Sequence, residues 1–262
     1  MVGRFADRTV LITGGGGGIG SVLTARFAAE GARVVCVDRD ADRASAAVSG
    51  VTTTAAVAVV ADVTDAAAVE QIVRDHGPID VLINNALSVS GDNLVTIDDA
   101  TWQRDLDGTL GSAFVCTRAV LPAMIERRRG AIVNVASVNG LGYYGNEAYS
   151  AAKAGMLSLT RSVAVRYGRY GIRANAIAPG TIRTAVWDER LAREPDLLDR
   201  LTRWYPLGRI GAPGEVANAV LFLASDEASF VSGATLTVDG GLTAGQGVMA
   251  TELLVESRDV EQ

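Results

Sequence analysis

Short β-branched runs alternate with longer helical patterns along the whole chain, and this alternation restricts the possible folds more than any other feature. The runs are TVLIT at 9–13, RVVCV at 33–37, AAVAVV at 55–60, DVLIN at 80–84, AIVNVAS at 131–137, IRANAIA at 172–178 and ATLTVD at 234–239. Between them, apolar residues such as Val69, Ile72 and Val73, or Met156, Leu159 and Val163, recur at helical spacing. Consecutive strands separated by helices pair in parallel through crossovers, so the pattern predicts an α/β fold. Its core is a doubly wound, mostly parallel sheet of about seven strands with helices on both faces. No Pro/Ser-rich linker divides residues 1–262, which read as one domain. Only 184–208 breaks the rhythm, as a charged, helical hairpin-like insertion placed to act as a lid. A tail from about 242 follows the last strand, and its final dozen residues have no assigned place.

Composition removes several function classes. With 48% hydrophobic residues the chain can build a large core, which excludes disorder and a small stapled scaffold. A net charge of −6 argues against a nucleic-acid partner, and Arg127–Arg129 read as a solvated helix end before Gly130. Cys36 and Cys116 lie in apolar stretches and read as small buried hydrophobes, which suits a reducing, cytoplasmic setting without disulfides. The N-terminal residues carry no secretory pattern, and no stretch approaches the roughly 18 uninterrupted apolar residues of a membrane span, so no membrane partner is expected. The single histidine, His76, precedes Gly77-Pro78 and reads as a helix-end residue, leaving neither a histidine-based triad nor a metal site. Among 24 basic residues, 23 are arginine and one is lysine, Lys153.

The first strand runs into Thr13 and then Gly14, Gly15, Gly16, Gly17, Gly18, Ile19 and Gly20, followed by a helical pattern. Glycines permit positive φ and let backbone N–H groups approach a pyrophosphate, while the helix N-terminus adds partial positive charge. Asp38 ends the second strand, placed to accept hydrogen bonds from an adenosine ribose and to repel a 2′-phosphate; the expected cofactor is therefore NAD. Arg39 is the counter-evidence, because an arginine there can reach such a phosphate, and an NADP-dependent ketoreductase stays open.

Tyr149 and Lys153 lie four residues apart in a helical segment, so both side chains project from one face. An ammonium beside a phenol favours the phenolate and lets tyrosine exchange protons nearer neutrality than its ordinary value of about 10. A flexible ammonium also reaches ribose hydroxyls and releases a proton more readily than a guanidinium. Ser137, at the end of the fifth run, can donate to a substrate oxygen.

These residues resemble the classical short-chain dehydrogenase/reductase family over about residues 5–245. The likeness rests on TGGGGGIG at 13–20, Asp62-Val63, Asn84-Asn85-Ala86, the Ser137/Tyr149/Lys153 set, Pro179 to Thr184 and the block at 206–241. The resemblance implies a Rossmann fold and hydride transfer between a nicotinamide and a secondary alcohol or ketone. In it Tyr149 is the general acid/base, Ser137 polarises the carbonyl, and Lys153 holds the nicotinamide ribose and assists the tyrosine. It also places Asp62 and Val63 at the adenine, Asn84, Asn85 and Ala86 along the cofactor cleft, and Pro179, Gly180, Ile182 and Thr184 at the nicotinamide end. A homotetramer or homodimer is the implied assembly. Two departures stand out: Leu87 occupies a position that is glycine in the family, and Thr109 stands where an asparagine usually completes a proton relay behind the lysine. They keep open a catalytically weakened nucleotide-binding scaffold, and a reductase of another unsaturated bond is a further alternative.

A substrate is expected outside the carboxyl ends of the strands, against Leu87, Val89, Ser137, Asn139, Tyr144, Tyr149 and Trp187, with Tyr143, Trp204 and Tyr205 nearby. The aromatic content favours a moderately apolar alcohol or ketone. Trp204 and Tyr205 have a plain alternative, packing the lid onto the rest of the domain or filling a subunit contact.

Overall fold

The computed structural model describes residues 3–51, 55–91 and 93–253. Seven parallel strands, β1 (Thr9–Thr13), β2 (Arg33–Asp38), β3 (Ala56–Val60), β4 (Val81–Asn84), β5 (Gly130–Val135), β6 (Ile172–Pro179) and β7 (Thr235–Val238), form one sheet in the order β3-β2-β1-β4-β5-β6-β7. The predicted strands are all present. Ser137 lies two residues beyond β5, however, rather than at its last position.

Both faces of the sheet are covered, which is why its strands read as continuous apolar runs. Along β1, Val10 and Ile12 point to one layer and Leu11 to the other, and each is at most 2% exposed. The first layer contains Leu23 and Phe27 of α1 (Gly18–Ala29) with Val216 and Val220 of α9 (Pro213–Ala224). The second contains Val69 and Ile72 of α3 (Ala66–His76), Cys116, Val120 and Met124 of α5 (Ser112–Arg127), and Val163 of α6 (Glu147–Tyr167). Helix α4 (Asp99–Leu106) continues into α5 through a π-turn at Asp107–Gly111, closed by the Ser112 N–H on the Asp107 carbonyl. Residues 99–127 are thus long and apolar enough to cross a membrane by length and composition, but the apolar face of this run packs in the second layer.

The direction in which successive strands are added reverses between β1 and β4, so the loops after these parallel strands lie side by side and open a crevice at the carboxyl ends. The 184–208 stretch folds into two short helices, α7 (Asp188–Arg193) and α8 (Leu197–Thr202), before the chain returns to α9. Their surfaces carry the ion pairs Arg190–Glu194, Arg193–Glu189 and Arg200–Glu194. The tail begins with a turn in which the Asp239 carboxylate accepts from the Gly241 and Thr243 N–H groups, and ends in α10 (Gly247–Leu253); its last nine residues lie outside the described ones.

Cys36 and Cys116 are buried free thiols, and burial pushes Cys116 up to about 12. His76 closes α3 and its carbonyl accepts from Arg33. The reading of Arg127 as simply solvated needs correction. Its guanidinium pairs with Asp80 at 2.7 Å and caps the Ile79 carbonyl, tying α5 to the entry of β4.

Candidate active site

The glycine turn is shaped by its neighbours. Gly14 has φ +60°, and a Cβ there would come within 3.0 Å of Ala86 Cα. The following loop is tied to it: the Asn85 and Ala86 N–H groups donate to Thr13 Oγ1, and Asn85 Nδ2 donates to the Thr13 and Gly14 carbonyls. Helices α2 (Ala41–Ser49), α3 and α4 begin with aspartate caps, Asp40, Asp65 and Asp98. By contrast α1 starts at Gly17 with no side-chain cap and no acidic residue in its first turn. Its N-terminal N–H groups thus remain available to an anion. Asp38 accepts from the Gly16 and Asp40 N–H groups at 3.0 and 3.1 Å, which fixes its carboxylate beside the turn.

The far wall comes from the chain after β6. A Cβ on Gly18 would lie 2.6 Å from Thr184 Cβ, so the glycine turn and the Pro179–Thr184 segment meet. Ile19, Pro179, Gly180, Ile182 and Thr184 line one cleft of about 950 Å³ with Ser137, Tyr149 and Lys153. A glycine cradle without room for side chains, an uncapped helix start and a fixed carboxylate at the end of β2 fit a dinucleotide.

The structure gives three of the expected cofactor residues other partners. Asn84 is turned into the core, where Nδ2 donates to Asn134 Oδ1 at 2.8 Å and Thr117 Oγ1 at 3.2 Å; it is 2% exposed and does not face the cleft. Side chains of adjacent residues leave a strand end in opposite directions, so Asn85 faces the turn when Asn84 faces α5. The Asp62 carboxylate closes its own turn on the Thr64 N–H and hydroxyl, bonds that hold it below the ordinary carboxylate value, with a smaller contribution from nearby Arg39. Val63 is 9% exposed and packs in the second core layer.

At the catalytic end, Tyr149 and Lys153 sit one turn apart on α6, with Lys153 Nζ 5.4 Å from the Tyr149 ring centroid. Gly140 lets the turn after Ser137 pack onto α6, since a Cβ there would lie 2.9 Å from the Lys153 backbone. Lys153 is wholly buried and donates to the Val135 carbonyl at 2.6 Å. Burial pushes the ammonium down to about 7 and the Tyr149 phenol up to about 12, the latter partly offset by hydrogen bonding with the Ser137 hydroxyl. Desolvation thus dominates at the Tyr149 phenol in the protein alone, against the direction expected from a neighbouring ammonium. Ser137 Oγ donates to Asn139 Oδ1 at 3.1 Å and accepts from the Asn139 N–H. Asn139 is held in turn by bonds from Nδ2 to the Gly145 carbonyl and Ser150 Oγ, so it orients the serine.

Of the expected substrate residues, Leu87, Ser137, Asn139, Tyr144, Tyr149 and Trp187 line the cleft, as do Trp204 and Tyr205. Val89 and Tyr143 lie outside that wall; Tyr143 is 70% exposed and bonds Glu147. Leu87 does not adopt positive φ, so a side chain there causes no backbone strain. Tyr205 is buried, and its hydroxyl accepts from the Thr181 N–H and donates to Thr181 Oγ1, while Trp187 Nε1 donates to the Ile182 carbonyl. Both aromatics thus brace the Pro179–Thr184 segment. Residues that sequence reasoning missed include Leu201, Arg203, Leu242 and Val248, supplied by the insertion and the tail, where no local pattern distinguishes a lining residue from a surface one.

Thr109 has a different task from the one expected. Fully buried in the π-turn, its hydroxyl accepts from the Ser88 N–H and donates to the Ser88 carbonyl, both at 3.0 Å, which leaves no hydroxyl proton for a relay. Asparagine carries both an acceptor and a donor, so Thr109→Asn should keep turnover within about threefold, whereas Thr109→Val strands two backbone groups at about 1–3 kcal/mol each. Steady-state rates and melting temperatures of the two variants check this; equal loss in both would show that the Ser88 bonds are not what matters.

A sheet of this order, with an uncapped glycine turn and a tyrosine–lysine pair at the carboxyl ends of its central strands, defines a Rossmann-type oxidoreductase. The family model described as Enoyl-(Acyl carrier protein) reductase matches residues 15–243. An uncharacterized oxidoreductase of Schizosaccharomyces pombe is 44% identical, with 96% of this chain and 97% of that protein covered. Meso-2,3-butanediol dehydrogenase of Serratia marcescens is 39% identical, over 93% and 98% of the two chains. The crystal structure of a short-chain dehydrogenase/reductase family oxidoreductase from Burkholderia thailandensis superposes with a TM-score of 0.92 at 47% identity, covering 95% of this chain and 98% of that one. The chain belongs to the short-chain dehydrogenase/reductase family, and it is an oxidoreductase of the alcohol dehydrogenase and ketoreductase class.

Proposed function

We propose that the protein moves a hydride between NAD(H) and a secondary alcohol or ketone within one catalytic domain, with Tyr149 as general acid/base. The convergence of Ser137, Tyr149 and a wholly buried Lys153 on the floor of the cleft carries this reading. The dehydrogenase from Serratia marcescens, named for a secondary diol, supports the substrate class.

When bound, the nicotinamide supplies or accepts the hydride. On the protein side, the Tyr149 hydroxyl gives its proton to the carbonyl oxygen in reduction and takes it back in oxidation. Ser137 turns its hydrogen from Asn139 Oδ1 to the same oxygen, so the developing alkoxide meets two donors. Lys153, with an ammonium near 7, resupplies a proton to the tyrosine at neutral pH and holds ribose hydroxyls. Gly14, Gly16, Gly17, Gly18, Ile19 and Gly20 would take the pyrophosphate, and Asp38 the adenosine ribose. The panel that tests the activity is a set of secondary alcohols and ketones, with an enone included, followed by NADH absorbance. Turnover of the enone alone would move the reading to reduction of a carbon–carbon bond.

The cofactor preference is a separate expectation. A carboxylate fixed by Gly16 and Asp40 cannot rotate away from a 2′-phosphate, so kcat/KM with NADH should exceed that with NADPH by about tenfold or more, and Asp38→Ser should narrow the ratio. A wild-type preference for NADPH would overturn the assignment. A homotetramer or homodimer in a cytoplasmic setting completes the proposal. Exposed Phe114 on α5 and Val165 on α6 support the assembly, and buried free cysteines support the compartment; sedimentation reads the former.

A further inference from the structure

Six arginines lie between 183 and 209, and five have a carboxylate partner. Arg183 pairs with Asp188, Arg190 with Glu194, Arg193 with Glu189, Arg200 with Glu194 and Asp196, and Arg209 with Glu215. Arg203 is the exception, and it is also the one of the six that lines the cleft. Its guanidinium lies over the Trp204 ring, with Cζ 4.7 Å from the centroid, and its N–H groups are unused by carboxylates among the described residues. Among the described residues it is, apart from Lys153, the only charged residue on the wall, and none of them that lines the cleft is an aspartate or glutamate. In a chain with 30 acidic and 24 basic residues, a described lining that carries two basic residues and no carboxylate favours negative charge.

We propose that Arg203 is the anion subsite of the substrate cleft, so that the substrate is a ketone or secondary alcohol bearing a carboxylate at the end distant from the reacting carbon. This rests on the oxidoreductase reading above and names its substrate class. The apolar body of such a molecule lies against Trp187, Leu201 and Val248 while the carboxylate meets the N–H edge of Arg203. The expectation of an apolar substrate from the aromatic content is thereby narrowed to one apolar along its length and charged at its tip.

The test compares reduction of 4-oxopentanoate, 5-oxohexanoate and 6-oxoheptanoate with that of their primary amides, which match them in shape and lack the charge. At one chain length the acid should exceed its amide in kcat/KM by about tenfold or more, chiefly through KM. That ratio should fall to below about threefold in Arg203→Gln and be partly kept in Arg203→Lys. An acid-to-amide ratio near one at every length, or a preference that survives Arg203→Gln, would overturn the subsite. Calorimetric titration of the same acids and amides into wild-type and Arg203→Gln enzyme with NADH present reads the subsite without turnover. Binding that favours the acid in wild type only, with no probe reduced, would sustain the subsite and sink the proposed ketone chemistry; equal binding of acid and amide, with both reduced, would sink the subsite and sustain that chemistry.

Discussion

Tyr149→Phe should lower turnover by about 10³-fold or more in both directions while leaving NADH binding within about twofold of wild type, because it deletes one hydroxyl and almost no volume. The phenol is the group on the cleft floor that can both give and take a proton at the substrate oxygen: Ser137 is bound on both sides by Asn139, and the Lys153 ammonium is directed at the Val135 carbonyl. With the phenol pushed up to about 12 by burial, the enzyme alone holds it protonated throughout the physiological range. Reduction therefore begins from a loaded acid, and its rate should not fall at mildly acidic pH for want of that proton. Oxidation needs the phenolate, and Lys153 near 7 is the neighbour able to accept and pass on what the tyrosine takes up. The rate of alcohol oxidation should consequently rise from pH 6 to pH 8 as the lysine loses its proton, and that of ketone reduction should fall. Stopped-flow single turnovers in each direction, with fluorescence titration of NADH, check the pair of expectations. A Tyr149→Phe enzyme that still turns over within tenfold of wild type would refute the mechanism.

How much of this was legible depended on whether a property is local. Strand and helix order follows from periodicity, because burial on both faces leaves the β-branched runs unmistakable. The glycine turn, Asp38 and the Tyr149/Lys153 spacing were equally readable, since each is a short pattern whose geometry is set by its own backbone. Asn84 and Asn85 show where the signal stops. Neighbours in sequence and alike in chemistry, they face opposite ways, and only the pairing of β4 between β1 and β5 decides which one reaches the turn. Thr109 lies on the helical stretch the sequence indicates, yet its bond partner, Ser88, is brought to it by a π-turn that no periodicity announces. Arg203 looked like one more charge in a charged stretch. Its distinction is the lack of a carboxylate partner, a fact of tertiary placement. The ionisation of the tyrosine is not legible for a related reason: spacing reveals that an ammonium is near, but not that both groups are buried.

Lys153→Met should separate the two consequences of that burial. Turnover should drop by about 10²-fold or more, since the variant loses both the proton source behind Tyr149 and the hold on the ribose. Stability should respond in a manner that activity cannot report. The folded-state ammonium sits near 7 while an unfolded lysine titrates near 10.5, so between these values the unfolded chain binds more protons than the folded one. The Lys153 contribution to wild-type stability therefore rises with pH across this window and is independent of pH below about 7, where both states are protonated and burial of the charge costs its full amount. Methionine has no such dependence. The difference in melting temperature, wild type minus variant, should grow steadily from pH 7 to about pH 9.5, whatever its sign at the start. The window closes there because Tyr149, raised from about 10 to about 12, adds a stability loss of its own above pH 10 in both proteins. A difference that stays flat from pH 7 to 9.5 would mean that Lys153 keeps its proton in the fold, and the proton supply to Tyr149 would then have to come from elsewhere.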